Sequence, residues 1–340
     1  MKPSQIDRIH GKPIDLSRLK ARVLADLGGQ SKYWTERAVQ LSADTSDIRH
    51  CPICGGDRYE EALRIYGFPW RQCQDCSHVF NGARPSAQAL TRFYEAADEA
   101  VNHADDYTDP AVRTYRKEAV ARPKVEFAAT YRPAPGRWLD VGCGNGDLLA
   151  IAQELGYEGV GLEPNQVSAR IGREAFGLDI REQLLDEFAA SRPAEFDVIS
   201  FIGLLDLVPD PMALLAAAAG LLKPGGIVFA SFPNYDSLST AVQATYSDRV
   251  ICRHMYPATL NAYTARSVER ACRTNGLEPE AYWFFGMDVY ETLNNLQLGA
   301  PGFADSPLHR FLFGTMNELQ AVYDRLELCD KFHVVARKPG

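Results

Sequence analysis

Hydrophobic and polar residues follow two distinct patterns along the second half of the chain. Short apolar runs, each bounded by polar or turn-forming residues, predict β-strands at residues 138–141, 159–162, 196–201, 227–232, 280–285 and 331–336. Between these runs, apolar residues recur three and four positions apart and predict helices at residues 146–155, 165–176, 211–222 and 265–275. Such alternation of strand and helix predicts an α/β fold, in which helices cover both faces of a mostly parallel sheet.

The first 136 residues follow a less regular pattern. Asp15 can cap a short helix over residues 15–28, which the Gly28-Gly29 pair would end. A cysteine-rich unit follows, and a helical pattern then runs from about residue 88 to residue 131, interrupted near Pro110. We therefore predict an N-terminal helical extension at 1–47, a cysteine-rich module at 48–84, a helical linker at 85–132 and an α/β domain at 133–340. The α/β domain would contain two long insertions, near 234–261 and 286–327.

Composition narrows the class of protein. The chain has 340 residues, of which 46% are hydrophobic, and this is enough for about two folded domains. Its formal net charge of −8 opposes binding to nucleic acid, so a nucleic-acid partner is not expected. The longest apolar run, residues 212–222, is shorter than the roughly 20 residues that span a bilayer. We therefore expect a cytoplasmic protein without membrane insertion, whose cysteines stay reduced.

Four cysteines lie close together in the N-terminal part of the chain. Cys51, Cys54, Cys73 and Cys76 form the pattern C-x2-C-x18-C-x2-C, which is typical of a structural zinc site. Redox-active dithiols or disulfides are the alternative interpretations, and the reducing compartment together with the doubled C-x2-C favours zinc. Four thiolate ligands leave no open coordination position, so we expect the Zn2+ to be structural.

A glycine-rich turn follows the first predicted strand of the α/β domain. Asp140 begins the pattern D-x-G-x-G-x-G, whose glycines are Gly142, Gly144 and Gly146. Glycines in such a turn let the backbone approach a ligand closely. The dinucleotide pattern G-x-G-x-x-G needs a glycine where Asp147 stands, and a phosphate-binding loop needs a lysine followed by Ser or Thr. Both of these motifs are therefore excluded.

The second predicted strand ends in Glu163, and an acid at this point can accept both hydroxyls of a ribose. The segment from Asp140 to Glu163 resembles motif I and its successor in class I S-adenosylmethionine-dependent methyltransferases. The resemblance covers about residues 137–338 and continues through residues 195–201, 210–215, 221–228, 266–276 and 332–337. It implies a Rossmann-like class I methyltransferase sheet, mostly parallel with an antiparallel last strand, preceded by the small zinc-binding module and the helical linker.

The resemblance also implies a role for each residue of an S-adenosylmethionine site. Gly142, Gly144 and Gly146 would line the methionine moiety, and Asp140 would order its amino end. Glu163 would bind the ribose. Gln183 and Leu184 would flank the adenine. Phe201 and Gly203 would lie under the sulfonium.

Methyl transfer to a hydroxyl or to an enolisable carbon also requires a proton acceptor. Members of the family often have Leu-Glu-His followed by Val-Pro after the fourth strand. In this chain Asp206 keeps the acid, but Leu207 replaces the histidine. We therefore take His254 as the substitute base, with Tyr256 and Asp206 as further catalytic candidates.

A zinc module followed by a methyltransferase domain resembles the architecture of deoxysugar C-methyltransferases. Thr259 stands where a histidine of those enzymes is expected, and the chain ends with the closing strand, where they continue into an additional domain. The sequence therefore predicts methyl transfer from S-adenosylmethionine to the oxygen or carbon of a small molecule. A sugar, a nucleotide sugar or a natural-product-type compound is the expected acceptor.

Two other functions stay open. Some RNA base methyltransferases also combine a zinc module with this domain, although the net charge of −8 disfavours an RNA substrate here. The third interpretation is a non-catalytic interaction protein that binds S-adenosylmethionine. The intact glycine-rich turn and Glu163 argue that cofactor binding is retained.

Overall fold

The structure is a computed structural model that describes residues 6–12, 14–15, 19, 26–96, 110–190, 192–247, 255–256, 258–300 and 302–340. In chain order, its β-strands are β1 (Asp7–His10), β2 (Thr45–Asp47), β3 (Tyr59–Ile65), β4 (Phe68–Cys73), β5 (Val79–Asn81), β6 (Ala83–Pro85), β7 (Gly136–Val141), β8 (Tyr157–Leu162), β9 (Asp179–Arg181), β10 (Phe196–Phe201), β11 (Leu222–Pro233), β12 (Asn261–Ala262), β13 (Glu278–Phe284) and β14 (Lys331–Arg337). Its α-helices are α1 (Leu27–Ser42), α2 (Ala87–Ala96), α3 (Pro110–Arg116), α4 (Arg122–Tyr131), α5 (Asp147–Glu154), α6 (Gln166–Phe176), α7 (Leu185–Ala189), α8 (Pro211–Leu221), α9 (Leu238–Thr245), α10 (Ala265–Thr274), α11 (Asp288–Gly299), α12 (Pro307–Gly314) and α13 (Met316–Arg325). A π-helical turn, Lys117–Ala121, joins α3 to α4.

An eight-stranded sheet forms the centre of the molecule, in the order β1-β13-β14-β11-β10-β7-β8-β9. β14 runs antiparallel to β11 and β13, and the other neighbouring strands pair in parallel. β8 lies on one side of β7 and β10 lies on the other, so the strand order reverses at β7. The carboxyl ends of these strands therefore form the crevice in which α/β sheets bind ligands. The predicted Rossmann-like fold is confirmed.

Successive residues of the central strands pack on opposite faces of the sheet, as the period of two in a strand requires. Leu139 and Phe201 belong to the hydrophobic cluster on one face. Trp138 and Phe229 belong to the cluster on the other face. Both faces are thus covered, which explains why the central strands read as continuous apolar runs in the sequence.

The N-terminal elements differ from the prediction. α1 begins at Leu27 and passes through Gly28 and Gly29, so the prediction that these glycines end a helix is wrong. Asp26 caps α1, because its Oδ1 accepts a hydrogen bond from the N–H of Gly29 at 2.9 Å. Most of the helix predicted at 15–28 lies outside the described residues. β1 has four exposed residues and forms by parallel pairing with β13.

A second sheet, in the order β12-β5-β4-β3, contains the cysteine-rich module. β12 lies at the end of the insertion predicted near 234–261, and its Asn261 pairs opposite Phe80 of β5. Phe80 and three of the clustered cysteines belong to the same hydrophobic cluster as Leu139 of the main sheet. The cysteine-rich module therefore shares a core with the α/β domain.

The other insertion, near 286–327, folds into α11, α12 and α13. α11 packs against α9 and α13, so the two insertions contact each other. No helix in the described part of the chain is long and apolar enough to cross a membrane.

Candidate functional site

The glycine-rich turn connects β7 to α5 with three glycines in the left-handed backbone region. The φ angle is +69° at Gly142, +53° at Gly144 and +78° at Gly146, values that favour glycine over other residues. A Cβ on Gly146 would lie 2.3 Å from Cδ1 of Leu178, whereas a Cβ on Gly144 would meet nothing within 4 Å. Gly146 is therefore needed for packing, and Gly144 borders open space that a ligand can enter.

Glu163 stands directly after β8 and holds two loops together. Its Oε2 accepts a hydrogen bond from the N–H of Gly144 at 2.9 Å, and its Oε1 accepts one from the N–H of Asn165 at 2.8 Å. These bonds fix the carboxylate between the glycine-rich turn and the start of α6. Because each carboxylate oxygen has two lone pairs, the group can also accept hydrogen bonds from a ligand.

A cavity of about 310 Å³ opens beside the glycine-rich turn, and we call it the first cavity. The turn lines one part of it, and the helix formed by α3, the π-helical turn and α4 lines another. Its lining includes Arg116, Val120, Lys124, Asp140, Gly144 and Asn145.

Asp140 supplies a carboxylate to the first cavity. It is 3% exposed, and its Oδ1 accepts a hydrogen bond from Oγ of Ser200 at 2.6 Å. Burial raises the pKa of Asp140 to about 7, against the opposing effects of the Ser200 hydrogen bond and the Lys124 charge. An amino-acid head group fits this arrangement, since its ammonium can pair with Asp140 and its carboxylate with Arg116 and Lys124. The methionine moiety of S-adenosylmethionine has both groups.

A second cavity, of about 300 Å³, adjoins the first. The N-terminal segment, the loop after β10, the loop after β13 and the start of β14 form its walls. Of the predicted catalytic residues, Asp206 and Tyr256 line this second cavity, whereas His254 lies outside the described residues. The residues that line both cavities are Arg116, Val120 and Lys124.

Two buried side chains of the second cavity have polar atoms without a hydrogen-bond partner among the described residues. These atoms are Oδ1 of Asp206 and both ring nitrogens of His333. Asp206 is 6% exposed, and burial raises the pKa of its carboxyl. His333 is fully buried, and its ring stacks on that of Phe285 with centroids 4.7 Å apart. Burial, together with the charges of nearby lysines, lowers the pKa of His333 well below its usual value, so the ring is neutral.

The first cavity is not lined by the other predicted cofactor contacts, which are Gln183, Leu184, Phe201 and Gly203. Gln183 and Leu184 lie in the loop between β9 and α7, and Leu184 is 53% exposed. Phe201 is fully buried in the hydrophobic core and lines neither cavity. Ile202, the first residue after β10, lines the first cavity, and Gly203 lines the second.

Sequence reasoning missed most of the residues that line the second cavity, among them Lys12, Lys124, Lys331 and His333. Lys331 and His333 occupy alternate positions of β14, whose other residues are largely apolar, so a signal was present. Lys12 follows an exposed strand, and Lys124 lies in a linker helix. No local pattern relates these two lysines to each other or to β14.

The four clustered cysteines form a compact group. The Sγ atoms of Cys51 and Cys76 lie 3.5 Å apart, as do those of Cys54 and Cys73, and all four lie within 4.8 Å of one another. A tetrahedron with zinc–sulfur bonds of about 2.3 Å has edges of about 3.8 Å, so these thiols fit a tetrahedral zinc ion. The hydrogen bond between Cys51 and Cys76 lowers the pKa of Cys76 to about 6 and raises that of Cys51, and burial raises that of Cys54, so a metal ion has to displace protons from this group.

The fold, the glycine-rich turn and the acid after β8 define a domain of the class that binds a nucleotide-containing cofactor at the switch point of the sheet. Residues 112–282 match the family model described as "Methyltransferase domain". This match covers half of the chain, and the chain therefore belongs to this methyltransferase family. The predicted class I S-adenosylmethionine-dependent methyltransferase domain is thereby confirmed.

Relatives with assigned names match a shorter region. A ubiquinone biosynthesis O-methyltransferase of Xanthomonas campestris pv. campestris is 34% identical over 117 residues, which are 33% of this chain and 49% of the relative. One of Thiobacillus denitrificans is 31% identical over 168 residues, which are 46% of this chain and 71% of the relative. The chain thus spans about half the length of the first relative.

Among solved structures, a SAM-dependent methyltransferase from Archaeoglobus fulgidus superposes with a TM-score of 0.46 at 18% identity. The superposition covers 65% of this chain and 94% of that one. Neither of the two named relatives is a sugar methyltransferase, so the resemblance to deoxysugar C-methyltransferases stays a prediction.

Proposed function

We propose that this protein transfers a methyl group from S-adenosylmethionine to a hydroxyl oxygen of a small molecule. The observation that carries the proposal is that the two cavities are neighbours, because three residues of the linker helix line both of them. Family membership supports the transfer of a methyl group. The names of the relatives, which are O-methyltransferases, support oxygen as the acceptor atom.

In this proposal the first cavity holds the cofactor. Asp140 would pair with its ammonium, and Arg116 and Lys124 would pair with its carboxylate. Glu163 does not line this cavity but is hydrogen-bonded to Gly144 of its wall, and it would accept hydrogen bonds from the ribose. The backbone of Gly144 borders the open space between these groups. When bound, S-adenosylmethionine supplies an electrophilic methyl group on its sulfonium sulfur.

The second cavity would hold the acceptor, with Asp206 as its proton acceptor. As the acceptor oxygen forms its bond to the methyl carbon and the carbon–sulfur bond breaks, the hydroxyl proton would pass to the Asp206 carboxylate. Oδ1 of Asp206 has no other hydrogen-bond partner among the described residues, and its raised pKa makes it a stronger base than a solvated aspartate. His333 would hydrogen-bond the acceptor as a neutral ring, and Tyr256, which also lines the cavity, would contact it.

The first experiment is calorimetric titration of the full chain with S-adenosylmethionine and with S-adenosylhomocysteine. The titration is followed by mass-spectrometric detection of methyl transfer to phenols, hydroxy acids, nucleotide sugars and RNA. We expect cofactor binding and transfer to a hydroxylated small molecule. Methylation of RNA alone would support the alternative of an RNA methyltransferase. Binding without any transfer would support a non-catalytic role, and absence of cofactor binding would overturn the proposal.

The role of Asp206 has its own test. We expect Asp206→Asn to reduce methyl transfer by about 100-fold, because the amide cannot accept the proton. Its affinity for S-adenosylmethionine should stay unchanged, since Asp206 lines only the second cavity. Asp186→Asn, on the exposed face of α7, is the matched control. Near-normal turnover of Asp206→Asn would remove Asp206 as the proton acceptor.

A further inference from the structure

The second cavity is crowded with cationic side chains. Lys12 comes from the segment after β1, Lys124 from α4 and Lys331 from the first position of β14. Arg116, at the end of α3, adds a fourth cation. Four cations from four elements converge there, although the chain as a whole has a net charge of −8.

None of the three lysines forms a salt bridge with a carboxylate of the described residues. Nζ of Lys12 donates a hydrogen bond to the backbone oxygen of Val120 at 3.1 Å and lies 4.9 Å from the centre of the Phe285 ring. Among the described residues, no carboxylate lies within ion-pair distance of Lys12, Lys124 or Lys331. A partly buried ammonium without a counter-charge is costly, and neighbouring ammonium groups increase the cost.

Two acids, Asp206 and Asp330, face the same cavity as the four basic side chains. Asp330 uses Oδ1 to accept a hydrogen bond from the N–H of Met287 at 3.0 Å, and burial raises the pKa of its carboxyl to about 7. Burial likewise raises the pKa of Asp206. Burial lowers the pKa of Lys12 to about 7, and burial with the charge of Lys12 lowers that of Lys124. Basic side chains thus outnumber acidic ones in this cavity, and a bound anion would favour the charged form of the lysines.

A second observation also indicates a ligand at this place. His333 is fully buried and lines the same cavity, and neither of its ring nitrogens has a hydrogen-bond partner among the described residues. Leaving buried polar atoms unpaired costs about 1–3 kcal/mol per group. A ligand with a hydroxyl beside its anionic group would satisfy both the lysines and this histidine.

We propose that the second cavity binds an acceptor with an anionic oxygen group, a carboxylate or a phosphate, and that Lys12 and Lys331 hold that group. The proposal rests on the proposed function, because it names the chemical class of that acceptor. Arg116 and Lys124 also line the first cavity and are assigned to the cofactor carboxylate, which leaves Lys12 and Lys331 for the acceptor. Tyr256, Phe285 and Met287 add apolar surface, so the anionic group is attached to an apolar or aromatic body.

The test measures binding of the full chain, without turnover. The probes are a hydroxylated benzoate, the corresponding neutral benzamide and the corresponding phenyl phosphate, each titrated by calorimetry in the presence of S-adenosylhomocysteine. We expect one of the anionic probes to bind about tenfold or more tightly than the benzamide, as loss of charge-assisted hydrogen bonds implies. Comparison of the benzoate with the phosphate tells which anionic group the site prefers.

Variants connect this preference to the two lysines. Lys12→Gln combined with Lys331→Gln should remove the preference for the anionic probes, while S-adenosylhomocysteine binds within about twofold of wild type. Lys32→Gln, on the exposed surface of α1, is the matched control. Equal binding of neutral and anionic probes, no binding of either anion, or an unchanged preference in the double variant would overturn the proposal. Failure of the proposed function differs from these outcomes, because the cofactor itself would then fail to bind or no acceptor would be methylated.

Discussion

At the scale of single residues, Glu163 combines a structural and a binding role. Its two oxygens accept hydrogen bonds from the N–H groups of Gly144 and Asn165. Glu163→Ala removes these bonds and the proposed acceptor for the ribose. We expect affinity for S-adenosylmethionine to fall by about 1–3 kcal/mol, the usual cost of losing a hydrogen-bonded acid, as measured by calorimetry. Glu158→Ala, at an exposed position of β8, should bind normally. Unchanged affinity in Glu163→Ala would remove Glu163 from the cofactor site.

Asp140 makes cofactor binding depend on pH. Burial raises the pKa of its carboxyl to about 7 in the ligand-free protein, whereas pairing with an ammonium requires the ionised form. Below about pH 7 binding must therefore first remove a proton, so affinity for S-adenosylmethionine should rise from pH 6 to pH 7.5. Asp140→Asn should bind more weakly and lose this dependence, as calorimetry at several pH values can measure. An identical pH profile in both proteins would contradict the role of Asp140.

At the scale of elements, the cysteine-rich module contacts the loop that contains Asp206. Nε2 of His78 and Oδ1 of Asn261 lie 3.1 Å apart, and Nδ2 of Asn261 donates to the backbone oxygens of Leu205 and Val208 at 3.3 Å and 2.8 Å. The N–H groups of residues 260 and 261 donate to the backbone oxygen of Asp206 at 2.8 Å and 3.1 Å. The position of Asp206 thus depends on β12, which pairs with the cysteine-rich module.

This arrangement predicts that loss of metal disturbs the acceptor site before the cofactor site. We expect purified protein to contain about one zinc ion per chain, and Cys73→Ser to lose it and become less stable, because metal binding contributes to folding. Asn261→Ala, which leaves the cysteines intact, should keep the zinc and the cofactor affinity but lower methyl transfer about tenfold or more. Asn275→Ala, at the end of α10, is the control. A metal-free Cys73→Ser protein of unchanged stability would contradict the zinc assignment.

Some elements of the fold can be predicted from the sequence and others cannot. Central strands such as β10 are buried on both faces and leave a local apolar signal, and the glycine-rich turn has a fixed spacing. β1 and β12 form through pairing with distant strands, and their short polar sequences contain no signal of their own. Lys12 reaches the second cavity only because β1 pairs with β13. The cationic wall of the cavity is therefore a product of long-range pairing, which periodicity within one segment cannot reveal.

At the scale of the whole molecule, three buried aspartates connect the second cavity to the helical insertion. Asp288, Asp324 and Asp330 are at most 3% exposed. Nε2 of Gln320 donates to Oδ2 of Asp288 at 3.0 Å and to Oδ1 of Asp324 at 2.9 Å. Asp324 accepts from the N–H of Gly286, and Asp330 accepts from the next N–H along the chain. These carboxyls hold the turn after β13 that forms one wall of the cavity.

Because these carboxyls are buried, the molecule should lose stability as the pH rises. Burial raises the pKa of Asp330 to about 7 and that of Asp324 to about 6, whereas an unfolded aspartate has a pKa of about 3.9. Between about pH 4 and pH 7 the folded state therefore binds more protons than the unfolded state, and each pH unit of rise lowers the free energy of unfolding. Asp330→Asn cannot ionise, and its amide oxygen can still accept the hydrogen bond from Met287. Relative to wild type, this variant should gain about 1–3 kcal/mol between pH 5 and pH 8 in urea unfolding, given roughly 1.4 kcal/mol per pKa unit. Asp305→Asn, at an exposed position, should follow the wild-type profile, and a parallel profile for Asp330→Asn would show that Asp330 ionises freely in the folded protein.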